Sequence, residues 1–326
     1  MAGEGRLALV TGGAGFIGSH LVEVLDGDGW RVRVLDDFST GSEENLARVA
    51  DRIEVQRGDV RDEQAVRAAT AGVDVVFHEA AIASVPRSIA EPLLADSVNL
   101  SGTLRLLEAA RHNGVRRVVF ASSSAVYGNG ATPPVRETDP PAPISPYGVQ
   151  KLASEHYLRL YADLHGLETV VLRYFNVYGN RQDPRSDYAA VVPVFLTAAA
   201  TGRAIAIHGD GQQSRDFIHV EDVARANRLA ADAPDASGGV FNVASGRATT
   251  VSELAEGVVA AAERRLAVVH EGAREGDIRE SWAAVDAARK RLGFEARIGL
   301  EDGIQRTLRS LAADKQPGRR QGEVPG

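Results

Sequence analysis

Residues 7–20 read LALVTGGAGFIGSH. A short apolar run, Leu7 to Thr11, enters glycines at positions 12, 15 and 18, and helical spacing follows from Gly15 to Asp26. A strand, a glycine turn and a helix in that order form a site for a pyrophosphate. Gly12 allows the tight turn, Gly15 and Gly18 let backbone approach the ligand and the strand, and the helix N-terminus presents N–H groups and its dipole to anionic oxygens. Phe16 and Ile17 lie inside the same turn. Asp36 follows Gly18 by 18 residues, at the end of the next apolar run. A carboxylate there accepts from a ribose 2′-hydroxyl and repels a 2′-phosphate, so the pattern points to NAD rather than NADP. One strand further on, RGDV (57–60) puts Asp59 and Val60 where they would flank an adenine.

The same alternation continues outward. Apolar runs recur at 32–35, 53–56, 73–78, 115–121 and 169–174, with helical spacing at 63–71, 96–112 and 147–165 between them. Strands alternating with helices predict a parallel sheet covered on both faces, a doubly wound Rossmann-type α/β fold. The runs alternate poorly between apolar and polar, as suits strands buried on both sides. Past about residue 176 the regularity fades into a polar loop (180–188). Helices are expected from Val191, over 223–231, 251–264 and 283–292, and strands at 204–208, 217–220 and 240–243.

Of the 326 residues, 44% are hydrophobic and 25% charged, the profile of a globular protein. The formal net charge of −7 offers no basic footprint for nucleic acid. There is no cysteine, which excludes disulfides, thiolate catalysis and cysteine metal sites; no metal is expected. No apolar run is long enough to span a membrane and the N-terminus does not resemble a signal peptide, so a cytoplasmic location is expected.

Arginine supplies 34 of the 37 basic residues, and one of the three lysines is Lys151 in SPYGVQK (145–151). Tyr147 and Lys151 are four apart, on one helix face. Free tyrosine has a pKa of about 10 and is a poor base at neutral pH. An ammonium, aided by the positive charge of a nicotinamide, would favour phenolate; reaching neutrality needs about 4 kcal/mol of differential stabilisation. A compact ammonium can reach ribose hydroxyls and the tyrosine together, where a planar guanidinium would not substitute cleanly. Upstream, the run 118–121 enters SSSAVYG (122–128), placing hydroxyls at a strand end where ligand crevices form.

With these pieces assembled, the chain resembles the extended short-chain dehydrogenase/reductase family, and within it the nucleotide-sugar 4-epimerases. The resemblance spans residues 6–312 and rests on TGGAGFIGSH, DDFSTG, HEAA with SVPRSI, NLSGT, ASSSAVYG, SPYGVQK, LRYFNVYG, NRQDP, GDGQQSRDFIHVEDV, FNVASG and REGDIRES. HEAA and NRQDP look most like bacterial UDP-N-acetylhexosamine 4-epimerases and close UDP-hexose relatives, although HEAA, with Glu79, departs from the usual HLAA or HQAA.

The resemblance implies roles. Tyr147 would take the proton of the sugar 4-hydroxyl, hydride would pass to NAD, and the 4-keto sugar would turn over before hydride returned to its other face. Lys151 would hold the nicotinamide ribose. The catalytic hydroxyl falls on Ser123, with Ser124 beside it. Asp37, Ser39, Ala80, Ala81, Asn99 and Tyr174 fall among cofactor-binding positions. Asn176, Arg215 and Arg274 fall where the family holds the UDP diphosphate, Asp277 at the uridine ribose, and Ser84, Arg87 and Val192 among substrate positions. Ser124 and Ala125 stand where related dehydratases carry acids, so chemistry at C5 has no evident base. Ser281 resembles the family's gate on the sugar pocket, and its small side chain leaves room for a 2-acetamido group.

The expected activity is therefore NAD-dependent C4 epimerisation of a UDP-hexose or UDP-N-acetylhexosamine. A UDP-glucuronate 4-epimerase, which would need a cation such as Arg87 or Arg185 near C6, a net oxidoreductase and a non-catalytic binding protein are the rivals. The expected organisation is a cofactor domain over 1–175 with a return segment at 216–244, a nucleotide-sugar domain over 176–215 and 245–313, and a disordered tail at 314–326. A homodimer is expected because the segments 96–112 and 147–165 carry more apolar surface than one sheet face needs.

Overall fold

A computed structural model describes residues 5–183, 191–262, 264–273 and 279–313. Its strands are β1 Leu7–Thr11, β2 Arg31–Asp36, β3 Glu54–Arg57, β4 Val75–His78, β5 Arg117–Ser123, β6 Glu168–Tyr174, β7 Asn176–Tyr178, β8 Ile205–His208, β9 Ser214–Arg215, β10 Phe217–His219, β11 Gly239–Val243, β12 Thr249–Thr250, β13 Val268–Glu271 and β14 Glu280–Ser281. Its helices are α1 Phe16–Gly27, α2 Glu63–Thr70, α3 Val85–Ala90, α4 Pro92–Asp96, α5 Thr103–His112, α6 Pro146–His165, α7 Val191–Thr201, α8 Val220–Ala230, α9 Val251–Ala261, α10 Asp286–Leu292 and α11 Leu300–Ala313.

Every residue of β1 is buried, because helices cover both faces of the sheet it occupies. Seven strands pair in parallel in the order β11-β6-β5-β4-β1-β2-β3. The chain winds outward from β1 through β2 to β3, then crosses back to β4 on the other side. That reversal opens a crevice at the carboxyl ends of β1 and β4, where open α/β sheets bind ligands. One apolar layer, including Leu21, Val34, Phe77, Val119, Leu172 and Phe241, lies on one face. A second, including Leu9, Leu35, Val76, Leu106, Phe120 and Leu158, lies on the other. Strand β11 extends the sheet beside β6, and α8 packs on α1.

Helix α6 carries its borders in sequence. The Ser145 hydroxyl accepts from Gly148 N, Pro146 occupies the first turn, and Gly166 ends the helix at φ 68°. Helix α1 is different: Gly15 is its N-cap and has no side chain to satisfy the first N–H groups. Those donors stay available at the crevice.

The expected strands and helices form, with shifted ends. The expected helix at 96–112 is interrupted: a π-helical turn at Ser97–Gly102 separates α4 from α5. Helices α3 and α11 and short strands β7, β9, β12, β13 and β14 were not evident in the sequence. A Cβ at Gly303 in α11 would collide with the Tyr178 hydroxyl, so the glycine serves close packing. With α7 and α9, α11 encloses a separate core that includes Phe195, Leu196, Leu254, Val258 and Ile304. The expected tail at 314–326 lies outside the described residues. Among the described residues, no helix is long and apolar enough to cross a membrane.

Candidate active site

The glycine turn fits a dinucleotide. Gly12 has φ 69°, and a Cβ there would stand 2.7 Å from Ala80 N; a Cβ on Gly18 would run into the Gly12 carbonyl. These glycines therefore bring the loop, the start of α1 and the end of β4 into backbone contact, leaving a shallow cradle above. Its walls are Gly12, Gly15, Phe16, Ile17 and Gly18, the β2 end (Asp36, Asp37, Ser39), the β3 end (Asp59, Val60) and Glu79 to Ala81 after β4. Asp36 is buried, and its carboxylate accepts from Ala14 N at 2.9 Å and Phe38 N at 2.8 Å. Burial raises its pKa while these N–H donors oppose that shift. A carboxylate has about four acceptor sites, so two remain for ribose hydroxyls. Asp37 accepts from Ser39 N and Oγ at 2.9 and 2.7 Å, and Asp59 is gripped by Arg61 at 2.9 Å. Glycine cradle, free helix N-terminus and Asp36 together suit NAD.

A second cavity of about 510 Å³ adjoins the first through Phe16, Ile17 and Ala83, which line both. Strand register builds its floor: Ser123 at the end of β5 pairs with Tyr174 at the end of β6. Alternation along β5 turns Ser122 the other way. Its hydroxyl donates to Glu155, which is ion-paired to Arg173 at 2.6 Å behind the sheet. Ser123 lines the cavity with Tyr147, Tyr174, Asn176, Val192 and Arg215. The Ser123 hydroxyl interacts with the Tyr147 phenol, whereas Ser124 does not line the cavity.

Lys151 is buried, donates from Nζ to the Ala121 carbonyl at 2.7 Å, and stands 5.8 Å from the Tyr147 ring centroid. Burial lowers its pKa to about 8, opposed by Glu79 and Glu155. The protein's own groups do not make Tyr147 acidic. Burial pushes its phenol up to about 12; Ser123 opposes this and the Glu79 carboxylate adds to it. Desolvation thus outweighs the Ser123 hydroxyl.

The remaining expected residues divide. Asn176 lines the catalytic cavity and its Nδ2 donates to the Asp216 carbonyl at 3.1 Å. Ser281 is half-buried and pairs in register with Arg215 across β14 and β9. Asn99 lines neither cavity; its side chain is engaged by Ile82 N and O and by Gln150. Ser84 caps α3, accepting from Arg87 N, and Arg87 lines the dinucleotide cleft while paired to Glu91 at 3.2 Å. Arg185, Arg274 and Asp277 lie outside the described residues. Sequence reasoning did not select Gln182, His208 and Gln213, which also line the catalytic cavity. Gln182 and Gln213 sit inside the NRQDP and GDGQQSRDF stretches, so the motifs held the signal. Glu79 was seen only as a departure from a motif. The structure has the Tyr174 hydroxyl donating to it at 2.7 Å, and burial raises its pKa to about 7.

A larger cavity of about 1170 Å³ lies by α1 and α8. Its Arg181, Arg225 and Arg228 are ion-paired to Glu23, Asp222 and Asp28, and it contains none of the glycine turn, Ser123, Tyr147 or Lys151. The other two cavities, which hold these groups, form the candidate site. Among the described residues no cluster of histidine and carboxylate side chains could hold a metal.

A doubly wound sheet with a dinucleotide cradle opening onto a serine, a tyrosine and a lysine defines a dehydrogenase-type enzyme of the extended short-chain class. The NAD dependent epimerase/dehydratase family matches residues 8–244, and the chain belongs to that family. Its cofactor is NAD. The chain is 41% identical over 304 residues to a UDP-glucose 4-epimerase of Mycolicibacterium smegmatis, covering 92% of this chain and 96% of that one. Among solved structures it is similar to the UDP-N-acetylglucosamine 4-epimerase of Methanobrevibacter ruminantium M1 in complex with UDP-N-acetylmuramic acid (TM-score 0.91, 38% identity, 95% and 99% of the two chains). It is also similar to the UDP-glucose 4-epimerase of Thermotoga maritima with UDP-glucose (TM-score 0.89, 38% identity, 95% and 100%).

Proposed function

We propose that this protein inverts C4 of a UDP-hexose or a UDP-N-acetylhexosamine. One observation carries the reading: the cavity that joins the dinucleotide cleft contains Ser123 and Tyr147 but, among the described residues, no lining carboxylate. Tyr147 can exchange a proton with a sugar hydroxyl, and Ser123 can orient that hydroxyl and stabilise the phenolate. Elimination across C5 and C6 needs a base at C5, and no described wall residue offers an acid–base carboxylate. Bound NAD would supply the hydride acceptor and return the hydride to the opposite face of a 4-keto sugar.

On this reading the glycine turn, Asp36 and Lys151 hold the cofactor. Asn176 and Arg215, with Arg274 and Asp277, hold the nucleotide. Opposite charge and bidentate geometry suit arginines to a diphosphate. One relative named a UDP-glucose 4-epimerase, another named a UDP-N-acetylglucosamine 4-epimerase, and the small Ser281 beside Arg215 support both sugars as candidates. Residues 1–175 with 216–244 would form the cofactor unit, consistent with β11 joining the sheet, and 176–215 with 245–313 the sugar-nucleotide unit.

The reading includes a homodimer. Helix α6 exposes Val149, Tyr157, Leu160 and Leu164, an apolar surface suited to a second copy. Light scattering at micromolar concentration should give twice the chain mass, and a monomer would remove this part. The activity itself is tested by incubating purified protein, without added cofactor, with UDP-, dTDP- and GDP-sugars, including UDP-glucuronate, and chromatographing the products. A C4 epimer of a UDP-sugar is the expected product. Net consumption of added NAD, or an unsaturated sugar, would overturn the assignment.

A further inference from the structure

Glu79 occupies a defined place in the fold. It follows β4, on the opposite side of β1 from Asp36 at the end of β2 and Asp59 beyond β3. Neighbouring strands are about 4.8 Å apart, so Glu79 stands roughly 10 Å or more along the sheet edge from those two acids. Asp36 suits the adenosine ribose. The other half of a dinucleotide must then run toward β4, β5 and α6, where Glu79, Ser123, Tyr147 and Lys151 gather. Glu79 lines the cleft, and its partner Tyr174 lines the catalytic cavity.

The hydrogen bonds around Glu79 have a direction. Asn227 Nδ2 donates to the Val223 carbonyl at 3.0 Å and to the Tyr174 hydroxyl at 2.6 Å. That hydroxyl passes its single proton to Glu79 Oε1 at 2.7 Å. The donor chain runs from α8 through β6 and ends on the carboxylate, which favours its ionised form. Glu79 is half-buried and keeps acceptor capacity beyond the bond from Tyr174. Lys151 lies close enough to favour its charge.

We propose that Glu79 selects the oxidation state of the bound cofactor: its carboxylate, aimed by Tyr174 and Asn227, favours the oxidised dinucleotide, whose nicotinamide ring is cationic, over the reduced one, whose ring is neutral. The inference rests on the NAD dependence of the family and not on which sugar is turned over. An enzyme that returns each hydride to its own substrate must rest in the oxidised form, and a fixed anion at the nicotinamide half holds it there. Attraction between opposite charges in a partly desolvated cleft is strong enough to matter.

The test equilibrates purified wild type, Glu79→Gln and Glu79→Asp with equimolar NAD⁺ and NADH, recovers the protein by gel filtration, and measures both bound forms. Glu79→Gln keeps the shape and the acceptor for Tyr174 but loses the charge. The bound ratio should move about tenfold toward NADH in that variant, and Glu79→Asp should restore most of the wild-type preference. An unchanged ratio in Glu79→Gln overturns the proposal, as does a preference lost equally in Glu79→Asp. Failure to bind either form would instead refute the NAD assignment.

A wild-type measurement covers the case in which Glu79→Gln does not fold. The bound ratio should rise toward NAD⁺ between pH 6 and 7.5 as Glu79 ionises. Among the groups facing it, Tyr174 and Tyr147 stay protonated, Lys151 stays charged over most of that range, and His78 on β4 stays neutral. A ratio independent of pH across that window counts against Glu79.

Discussion

The Lys151 ammonium stands 5.8 Å from the Tyr147 ring centroid and is anchored to the Ala121 carbonyl at 2.7 Å. The anchor ties α6 to the carboxyl end of β5, so the lysine and Ser123 reach the tyrosine from fixed positions. The same enclosure strips water from the phenol and drives its pKa up to about 12. Proton transfer at neutral pH therefore needs further positive charge in the site. This explains why a lysine alone does not suffice.

In protein stripped of dinucleotide, spectrophotometric titration should show no ionisation of Tyr147 below about pH 10. Tyr147→Phe should lower epimerase turnover by roughly 10²- to 10⁴-fold with the fold intact by circular dichroism. Full activity in the phenylalanine variant would remove Tyr147 from the chemistry.

Behind the sheet, Arg173 donates to Glu155 through Nε at 3.0 Å and Nη2 at 2.6 Å, and both side chains are buried. Glu155 lies four residues after Lys151, so the pair clamps the catalytic helix to β6. Glu155→Ala leaves a buried guanidinium without its counter-charge and should cost about 3–5 kcal/mol of stability in denaturant titration. A loss below 1 kcal/mol would show that α6 is held by apolar packing alone.

Three histidines are buried with depressed pKa values: His78 at about 3, His20 and His219 at about 4. Burial is the first cause in each. The folded protein binds these protons less readily than the unfolded chain, whose histidines titrate near 6.5. The three contribute full stability above pH 6.5 and lose it as pH falls toward 4, on the order of 10 kcal/mol in total. Thermal unfolding should shift steadily downward over that window. His78→Gln should flatten part of the slope, and a melting temperature unchanged between pH 6.5 and 4 would contradict the buried neutral state.

Ser281 pairs with Arg215, and Arg215 lines the catalytic cavity. Ser281→Tyr should crowd the sugar pocket and lower kcat/KM for UDP-N-acetylglucosamine about tenfold or more relative to UDP-glucose. Equal effects on both sugars would place the acetamido pocket elsewhere.

Much of the architecture was legible because it is local. The glycine turn, Asp36 and the four-residue spacing of Tyr147 and Lys151 each act within a few residues, and the apolar runs reveal a sheet covered on both sides. The π-turn at Ser97–Gly102 was not legible, since a helical pattern does not distinguish one turn type from another. Helix α11 places Gly303 against a hydroxyl 125 positions away in the chain, a contact that no local pattern shows.

The doubly wound class, the dinucleotide cradle and the pairing of Tyr147 with Lys151 follow from local spacing, because one helix and one turn suffice for these. Which serine faces the tyrosine depends on the folded chain, since strand alternation and register separate Ser122, Ser123 and Ser124. The tertiary structure alone brought Glu79 to Tyr174, 95 residues apart, and Tyr174 to Asn227. It also buried the Tyr147 phenol, which raises its pKa. Desolvation and long-range hydrogen bonds depend on which distant segments close over a group, and no local pattern encodes that.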